Sequence, residues 1–428
     1  MAIPGVKTII KDRFYSISRQ DLPVGPRVVV IARRNNNDGD GNVPNLDAVQ
    51  VSNEADVITA FGEDSDLHRA YIELISAGAE RVFMVPLPSD TEFQRGTSSV
   101  TADVLDGDGE SIFDAAFEAA ESALPDIIVA WGAGGLPSSW AATPSTPNDD
   151  LGFYANDTTT IDRSMATRVA RKCKEISENT HPCFAIMGVK PYSGASEIMT
   201  PSVVSTHLAL TALVNRDSDL TTPTTNSAGE IIYTRLAEAG RHLFVIATEV
   251  VPVGYKEEWG YANGASSLAG SLSRLASYTS PSNKVLYNVA SLRYNPTRTL
   301  QTSLSDKGVN AVALNFNRVP IFAEGLSFAA STSDYTRIST MRIISECSLL
   351  VRQVCQKFVG EASTIQVRNS METAITSALR GMMQLGALLD ADFAVSYIPN
   401  QNKAIIDLVV TPAFELKSIE VRLSVNLA

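Results

Sequence analysis

The alternation of amphipathic stretches with short apolar runs constrains the fold of this 428-residue chain more than any other feature. Runs typical of buried strands occupy residues 27–32, 81–87, 126–131, 183–189 and 242–251. Helical patterns lie between them, one opening near Ser52 and others covering 66–77, 111–123, 162–177 and 202–214. Apolar strands separated by helices predict a largely parallel sheet with both faces covered, so we expect an α/β body.

The pattern changes near residue 330. One long helical pattern covers 338–358 and a second covers 364–385. Alternating residues at 393–397, a turn at 399–402 and an apolar run at 404–410 then predict a β-hairpin, so we expect an α+β C-terminal domain of two long helices and a hairpin. The predicted parts are an N-terminal linking arm (1–20), an α/β body of one or two subdomains (21–330), a helix–helix–hairpin domain (331–412) and a C-terminal linking strand (413–428).

The last segment of the chain alternates apolar and polar residues with a strict period of two. This pattern predicts a strand with one apolar face, which must pair with another strand to bury that face. It pairs either within its own subunit or with the edge of a neighbour's sheet. A second strand-like piece follows Pro4 and Gly5, so we expect extended strand arms at both ends. The candidate inter-subunit strand contacts are Val6, Thr8, Ile10, Ile419, Val421, Leu423, Val425 and Leu427.

Charge is distributed unevenly along the chain. The formal net charge of −12 argues against nucleic acid as a partner. Residues 1–34 carry a net charge of +5, residues 35–330 carry −17, and the remainder is neutral. The basic leading arm is complementary to the acidic body of another copy, although a merely solvated arm explains the same asymmetry. The candidate electrostatic contacts are Lys7, Lys11, Arg13 and Arg19.

Residues suited to catalysis or metal binding are few. The four histidines are His68, His181, His207 and His242. None of them lies in a recognised catalytic motif, and His68 is expected on an exposed helix. Cys173, His181 and Cys183 do not have the spacing of a standard zinc site. We therefore predict no catalytic residue, no bound metal and no cofactor.

Two loops have the composition of ligand-binding loops without the required spacing. Gly132–Gly135 follows a strand, where a dinucleotide site could lie, but the G-x-G-x-x-G spacing is missing. Residues 36–47 match part of a calcium-loop template, yet Asn36 replaces the first aspartate and Asp47 replaces the bidentate glutamate. An ordinary surface loop is the favoured interpretation of both.

The sequence shows no signal for export or membrane insertion. Pro4 and Gly5 stand where a leader peptide needs an apolar core. No apolar run reaches the roughly 18 residues that a membrane helix requires. The four cysteines form no C-x-x-C pair and are predicted to be buried thiols in a reducing compartment.

Several short motifs follow one another in order at the two ends of the chain. They are Pro4-Gly5-Val6, Ser280–Lys284, Asp306–Ala311, Tyr335–Ile338 with Arg342, Phe358–Glu361, Gly386 and Thr411–Ala413. Their order and spacing resemble contractile phage tail sheath proteins, over the first 30 residues and over residues 280–428. Two positions depart from that family: Met341 precedes Arg342 where a second arginine is common, and Ala362-Ser363 stand where an asparagine is common.

The resemblance implies a structural subunit rather than an enzyme. Such subunits polymerise around an inner tube and contract to drive that tube through a host cell envelope for genome delivery. It further implies that the N-terminal arm and C-terminal strand of neighbours join the hairpin sheet, and that the C-terminal domain faces the tube. The implied partners are other copies in stacked rings, the inner tube protein, and baseplate and tail terminator proteins, without direct nucleic acid contact or membrane insertion. The implied location is a virion tail, made in the bacterial host cytoplasm.

Two other functions remain open from the sequence. A genome-free contractile device, such as an R-type pyocin, would have the same architecture. A soluble α/β enzyme would use Gly132–Gly135 as a phosphate or oxyanion loop.

Overall fold

The computed structural model divides into two compact units, Met1–Met341 and Arg342–Ala428. The residues that the structure describes are 25–35, 43–94, 103–131, 165–188, 224–225, 231–232, 239–293, 295–306, 308–329, 333–398, 403–413 and 415.

Short strands and longer helices alternate along the described chain. The strands are β1 Arg27–Arg33, β2 Val49–Val51, β3 Arg81–Leu87, β4 Glu92–Gln94, β5 Asp103–Leu105, β6 Ile127–Ala130, β7 Phe184–Gly188, β8 Thr224–Thr225, β9 Ile231–Ile232, β10 Leu243–Ile246, β11 Val250–Pro252, β12 Val289–Leu292, β13 Val309–Asn310, β14 Val312–Leu314, β15 Pro320–Phe322, β16 Leu388–Ile398 and β17 Lys403–Pro412. The helices are α1 Glu54–Phe61, α2 Asp66–Ala77, α3 Phe113–Ser122, α4 Met165–Asn179, α5 Ala265–Arg274, α6 Arg298–Asp306, α7 Ile338–Gln356 and α8 Ile365–Gln384, with 3-10 turns at Gly240–His242 and Glu257–Trp259.

A seven-stranded sheet in the order β13-β10-β7-β6-β1-β3-β2 forms the centre of the first unit. Every neighbouring pair in it is parallel except β2 and β3, which are antiparallel. The prediction of an α/β body with a largely parallel sheet is therefore confirmed. The apolar runs at 27–32, 81–87, 126–131 and 183–189 coincide with strands to within one residue at each end.

Helices cover the sheet on both faces, which explains why its strands are apolar throughout. In β1 the side chains of Val29 and Ile31 point into a core shared with α3, α4 and α6. Those of Val28 and Val30 point into a second core, shared with α1, α2 and α5. Each fully buried side chain of this size contributes about 1.5–3 kcal/mol relative to an exposed one, so both faces of the strand favour burial.

Local signals fix where the first two helices begin and end. The side chain of Asn53 caps α1 by accepting a hydrogen bond from the N–H of Asp56, and Ser65 caps α2 through the N–H of His68. Gly78 ends α2 with a φ of 102°, a left-handed conformation that favours glycine. The helix predicted at 202–214 lies outside the described residues.

Helix α5 was not predicted; its sequence, ASSLAGSLSR, is rich in serine, alanine and glycine. Its packing explains that composition. A Cβ atom at Gly270 would lie 2.5 Å from the carbonyl oxygen of Leu74 and 2.7 Å from the Cβ of Ala77, so only glycine allows α5 this close to α2.

The prediction of one strand over 242–251 is wrong. β10 ends at Ile246, and β11 begins at Val250 in a different sheet. Between them the N–H of Ala247 donates to the carbonyl of Asn310 at 2.9 Å, and the hydroxyl of Thr248 accepts from the N–H of Val312 at 2.8 Å. The first bond belongs to the ladder between β10 and β13, and the second ties Thr248 to the start of β14.

The side chain of Asn310 holds this region together. It is fully buried at the end of β13. Its Nδ2 donates to the carbonyls of Val245 and Leu326, at 2.9 and 2.8 Å, and its Oδ1 accepts from the N–H of Leu326 at 2.7 Å. The asparagine in the Asp306–Ala311 motif therefore has a structural role, because three buried backbone groups form hydrogen bonds with its side chain.

The second unit contains most of α7, the whole of α8, and the hairpin of β16 and β17. Thr364 caps α8 by accepting from the N–H of Val367. Within the described part of the chain, no helix is both long and apolar enough to cross a membrane.

Candidate functional site

All of the residues predicted to link subunits lie outside the described residues. These are the strand contacts Val6, Thr8, Ile10, Ile419, Val421, Leu423, Val425 and Leu427, and the electrostatic contacts Lys7, Lys11, Arg13 and Arg19. The loop Gly132–Gly135 and residues 36–42 of the acidic loop also lie outside them, as does His207. The predictions for these residues stay predictions.

The expectation that His68 lies on an exposed helix face is wrong. Its side chain is 1% exposed, and its Nε2 lies 3.0 Å from Oε1 of Glu54. The ring packs edge-on against Trp259 with centroids 5.0 Å apart. The indole N–H of Trp259 donates to Asp64 at 2.9 Å. Trp259 comes from a part of the chain almost 200 residues away, so the helix pattern around His68 could not indicate its burial.

His242 is a buried structural residue. Its Nδ1 lies 3.1 Å from the carbonyl oxygen of Cys183 and 3.3 Å from the hydroxyl of Ser177. Burial lowers the pKa of His242 to about 4, so the ring is neutral near pH 7 and can donate from Nδ1. Its Nε2 accepts from the guanidinium of Arg241 at 3.2 Å. The ring's hydrogen bonds therefore serve the packing of the sheet.

The three residues considered for zinc do not form one site, although Cys173 and Cys183 are neighbours. His181 lies 3.1 Å from Asp126, whereas the Sγ of Cys183 lies 3.6 Å from the carbonyl oxygen of Cys173. Burial raises the pKa of the Cys173 thiol, which disfavours the thiolate that a metal would need. Among the described residues, no three histidine, cysteine or acidic side chains group closely enough to hold a metal ion.

The hairpin of the second unit has the geometry of a site for strand addition. Its strands pair over ten positions, from Leu388 with Pro412 to Ile398 with Lys403, with a bulge near Leu389. It is longer than the pattern at 393–397 indicated. Within the described chain β16 and β17 pair only with each other. A two-stranded sheet of this kind is marginally stable until further strands or a packing partner cover it.

One face of the hairpin is apolar and only partly covered. On this face Phe393 opposes Leu408 and Val395 opposes Ile406, and all four side chains are half-buried. Helix α8 contacts β16. Its buried side chains are Met371, Ile375, Leu379 and Met382. Because the core-facing residues of the hairpin keep part of their surface exposed, this face could bury more apolar area.

Tyr397 connects this face to the helix. The guanidinium of Arg368 lies 4.2 Å from the centre of its ring, and its hydroxyl group lies 3.4 Å from the carboxylate of Glu372. Burial, and next the negative charge of Glu372, raise the pKa of Tyr397, so the phenol stays protonated near pH 7. This contact orients α8 along the hairpin.

Side chains occupy two backbone N–H groups of β16. On β16 the N–H groups of Ala391 and Phe393 donate to the carboxylates of the preceding Asp390 and Asp392, at 2.9 and 2.8 Å. Charged side chains that occupy backbone groups are a common protection of edge strands. Asp390 and Asp392 were not predicted as functional, although their alternation with Ala391 and Phe393 was a readable signal.

Comparisons with known proteins give matches only among solved structures. No protein-family model matches the sequence, and no curated protein matches it. A chain of the anti-feeding prophage (AFP) baseplate is 15% identical, with both chains covered over 100% and a TM-score of 0.61. The PVC sheath of an extracellular contractile injection system, in its contracted state, is 10% identical, with 99% of this chain and 98% of that chain covered and a TM-score of 0.58. The sheath tail protein Lin1278 from Listeria innocua is 9% identical, with 92% and 93% covered and a TM-score of 0.55. At these identities the likeness establishes a shared fold.

Proposed function

We propose, because the chain has the fold of contractile tail sheath proteins, that it is a structural subunit of a contractile sheath. In this role it polymerises around an inner tube and contracts to drive that tube through a host cell envelope. The observation that carries the proposal is the likeness to solved sheath proteins along 92% or more of the chain.

The proposed link between subunits is the addition of strands to the hairpin of β16 and β17. An added strand with one apolar face would continue the half-buried face of Phe393, Val395 and Leu408 and satisfy an open backbone edge. The segment from Ile419 to Leu427 has the required period of two, and the segment from Val6 to Ile10 is rich in the β-branched residues that favour strands. Since two N–H groups of β16 are already occupied, we place the C-terminal strand of a neighbour along β17.

The remaining assignments follow from this role. The partners are other copies in stacked rings or a helical polymer, an inner tube protein, and baseplate and terminator proteins. Residues 331–412 would face the tube, and 21–330 would form the outer body. The work of contraction would come from contacts between subunits, each contributing a few kcal/mol across many copies, so no catalytic residue is required. Assembly would take place in the bacterial cytoplasm.

A genome-free injection device is the second candidate. Two of the similar structures belong to an extracellular contractile injection system and to the anti-feeding prophage. Both candidates require the same subunit chemistry and differ in the cargo of the tube.

Electron microscopy of the purified full-length protein in negative stain tests the proposal. We expect tubes or short helical polymers at concentrations of about 10 µM, where interfaces of standard size are occupied. Discrete monomers or dimers that persist at tenfold higher concentration would contradict a sheath subunit and favour an α/β enzyme.

A further inference from the structure

A small surface patch on the first unit combines exposed apolar side chains with one arginine. The patch consists of Ile75, Val253, Arg274 and Tyr287 around Asn288, and we call it the Tyr287 patch. Ile75, Val253 and Tyr287 are 40%, 57% and 51% exposed. They belong to three separate segments, namely the end of α2, the residue after β11 and the approach to β12.

Backbone contacts hold these segments in a fixed arrangement. The N–H of Val253 donates to the carbonyl oxygen of Asn288 at 2.7 Å, and the side-chain amide of Asn288 donates to the carbonyl of Ser76 at 2.9 Å. Asn288 has a φ of 55°, a left-handed conformation that asparagine tolerates better than most residues. The patch is therefore preorganised, which reduces the entropic cost of binding a partner.

Arg274 is held in place by its neighbours, and no described carboxylate pairs with it. Its side chain crosses Gly78, where a Cβ atom would lie 2.1 Å from its Cδ, so the glycine makes room for it. Its guanidinium stacks on the ring of Tyr287 at 4.5 Å from the centroid. In the described part of the chain Arg274 forms no ion pair. Arginine and tyrosine, held together and exposed, are the residue types most enriched at the energetic centres of protein interfaces.

We propose that the Tyr287 patch is a contact surface for the acidic body of a second copy of this chain. This inference rests on the proposed function, because it assumes that bodies of neighbouring subunits touch. Residues 35–330 carry a net charge of −17, so two such bodies repel each other wherever acidic surfaces meet. A patch of three apolar side chains and an unpaired arginine is a place where contact between them is favourable, and carboxylates of the neighbour supply the partner for Arg274. The same overall charge opposes nucleic acid as the occupant.

Assembly of the full-length protein tests this contact through the critical concentration for polymer formation, measured by sedimentation. Arg274→Glu and Tyr287→Ser are each expected to raise the critical concentration about tenfold, the effect of losing one central interface residue. Tyr287→Phe keeps the stacked ring and Arg298→Glu reverses an exposed charge outside the patch, so both are expected to change it by less than about twofold. Melting temperatures of all four variants are expected to stay close to that of the wild type, since the altered side chains are exposed.

A photo-crosslinking amino acid at Val253, in polymers mixed from isotopically light and heavy copies, identifies the occupant directly. Crosslinks between light and heavy chains that end on acidic segments support the proposal. Crosslinks confined to one chain, or to a tube protein added to the mixture, refute it.

The outcomes separate this inference from the proposed function. If the wild type forms polymers and the Arg274 and Tyr287 variants assemble equally well, the proposed role of the Tyr287 patch is wrong, and the proposed sheath function is unaffected. If the wild type forms no polymer under any condition, the sheath function is wrong and the patch fails with it.

Discussion

We expect the stability of the first unit to depend on pH because of the carboxyl group of Glu73. Its side chain is fully buried in α2. Its Oε1 accepts hydrogen bonds from the N–H and the hydroxyl of Ser267, both at 2.9 Å, and so caps the first turn of α5. Burial outweighs these bonds and raises the pKa of Glu73 from 4.5 to about 7.

The raised pKa makes the folded state bind a proton that the unfolded state releases. Between pH 4.5 and about 7 the unfolded carboxyl is ionised while the folded one is still protonated. The free energy of unfolding therefore falls as the pH rises through this interval, by about 1.4 kcal/mol per pH unit and about 3 kcal/mol in all, and levels off above it. The contribution is fully present below pH 4.5.

Glu73→Gln isolates this effect, because glutamine keeps an acceptor for Ser267 and has no titrating proton. We expect the variant to gain about 3 kcal/mol relative to the wild type between pH 4.5 and pH 8. Urea unfolding followed by tryptophan fluorescence, at protein concentrations below assembly, measures both proteins at each pH. Other titrating groups are common to both and cancel in the difference.

Glu80→Gln serves as the control, since Glu80 is exposed and only seven residues further along the chain. It reports the effect of the same carboxyl-to-amide change at an exposed position. If the stability difference for Glu73→Gln is constant from pH 4.5 to 8, the buried carboxyl ionises as easily in the folded as in the unfolded protein, and the reasoning is refuted.

Three further predictions concern assembly and packing. Deletion of Ser418–Ala428 is expected to abolish polymers seen by electron microscopy while the circular dichroism spectrum keeps its folded shape; normal polymers from the shortened chain would contradict strand donation. Arg13→Glu combined with Arg19→Glu is expected to weaken assembly at low salt and to have a smaller effect at high salt, because salt screens exposed charges. Light scattering across a salt series measures this effect. Unchanged assembly at low salt would contradict the proposed charge contact. Asn310→Leu is expected to lower the free energy of unfolding by about 3 kcal/mol or more, because three backbone groups lose their partner; a loss under about 1 kcal/mol in urea titration would show that water replaces it.

The parallel sheet could be predicted because its signal is local. A run such as RVVVIA is apolar on both faces, and a strand between two helical layers needs that composition. The caps at Asn53 and Ser65 and the stop at Gly78 are equally local. The hairpin of the second unit also left a readable period, although the bulge near Leu389 hid its first residues.

The structural features that could not be predicted from the sequence depend on contacts between residues far apart in the chain. The close packing of α5 depends on Gly270 meeting the backbone of α2, almost 200 residues earlier. The segment between β10 and β11 is bonded to Asn310 and Val312, which come more than 60 residues later. Patterns within a window of ten or twenty residues contain no information about such partners. The same holds for the Tyr287 patch, whose residues come from four segments.

The carboxylates of Asp390 and Asp392 bear on which edge of the hairpin an added strand would use. A ribbon with two equivalent edges could accept strands on either side, and free subunits would join in irregular chains. With two amides of β16 already occupied, an incoming strand in the proposed sheath would favour the edge of β17. Assembly of the proposed sheath would then proceed in one direction, and branched chains of subunits would be disfavoured.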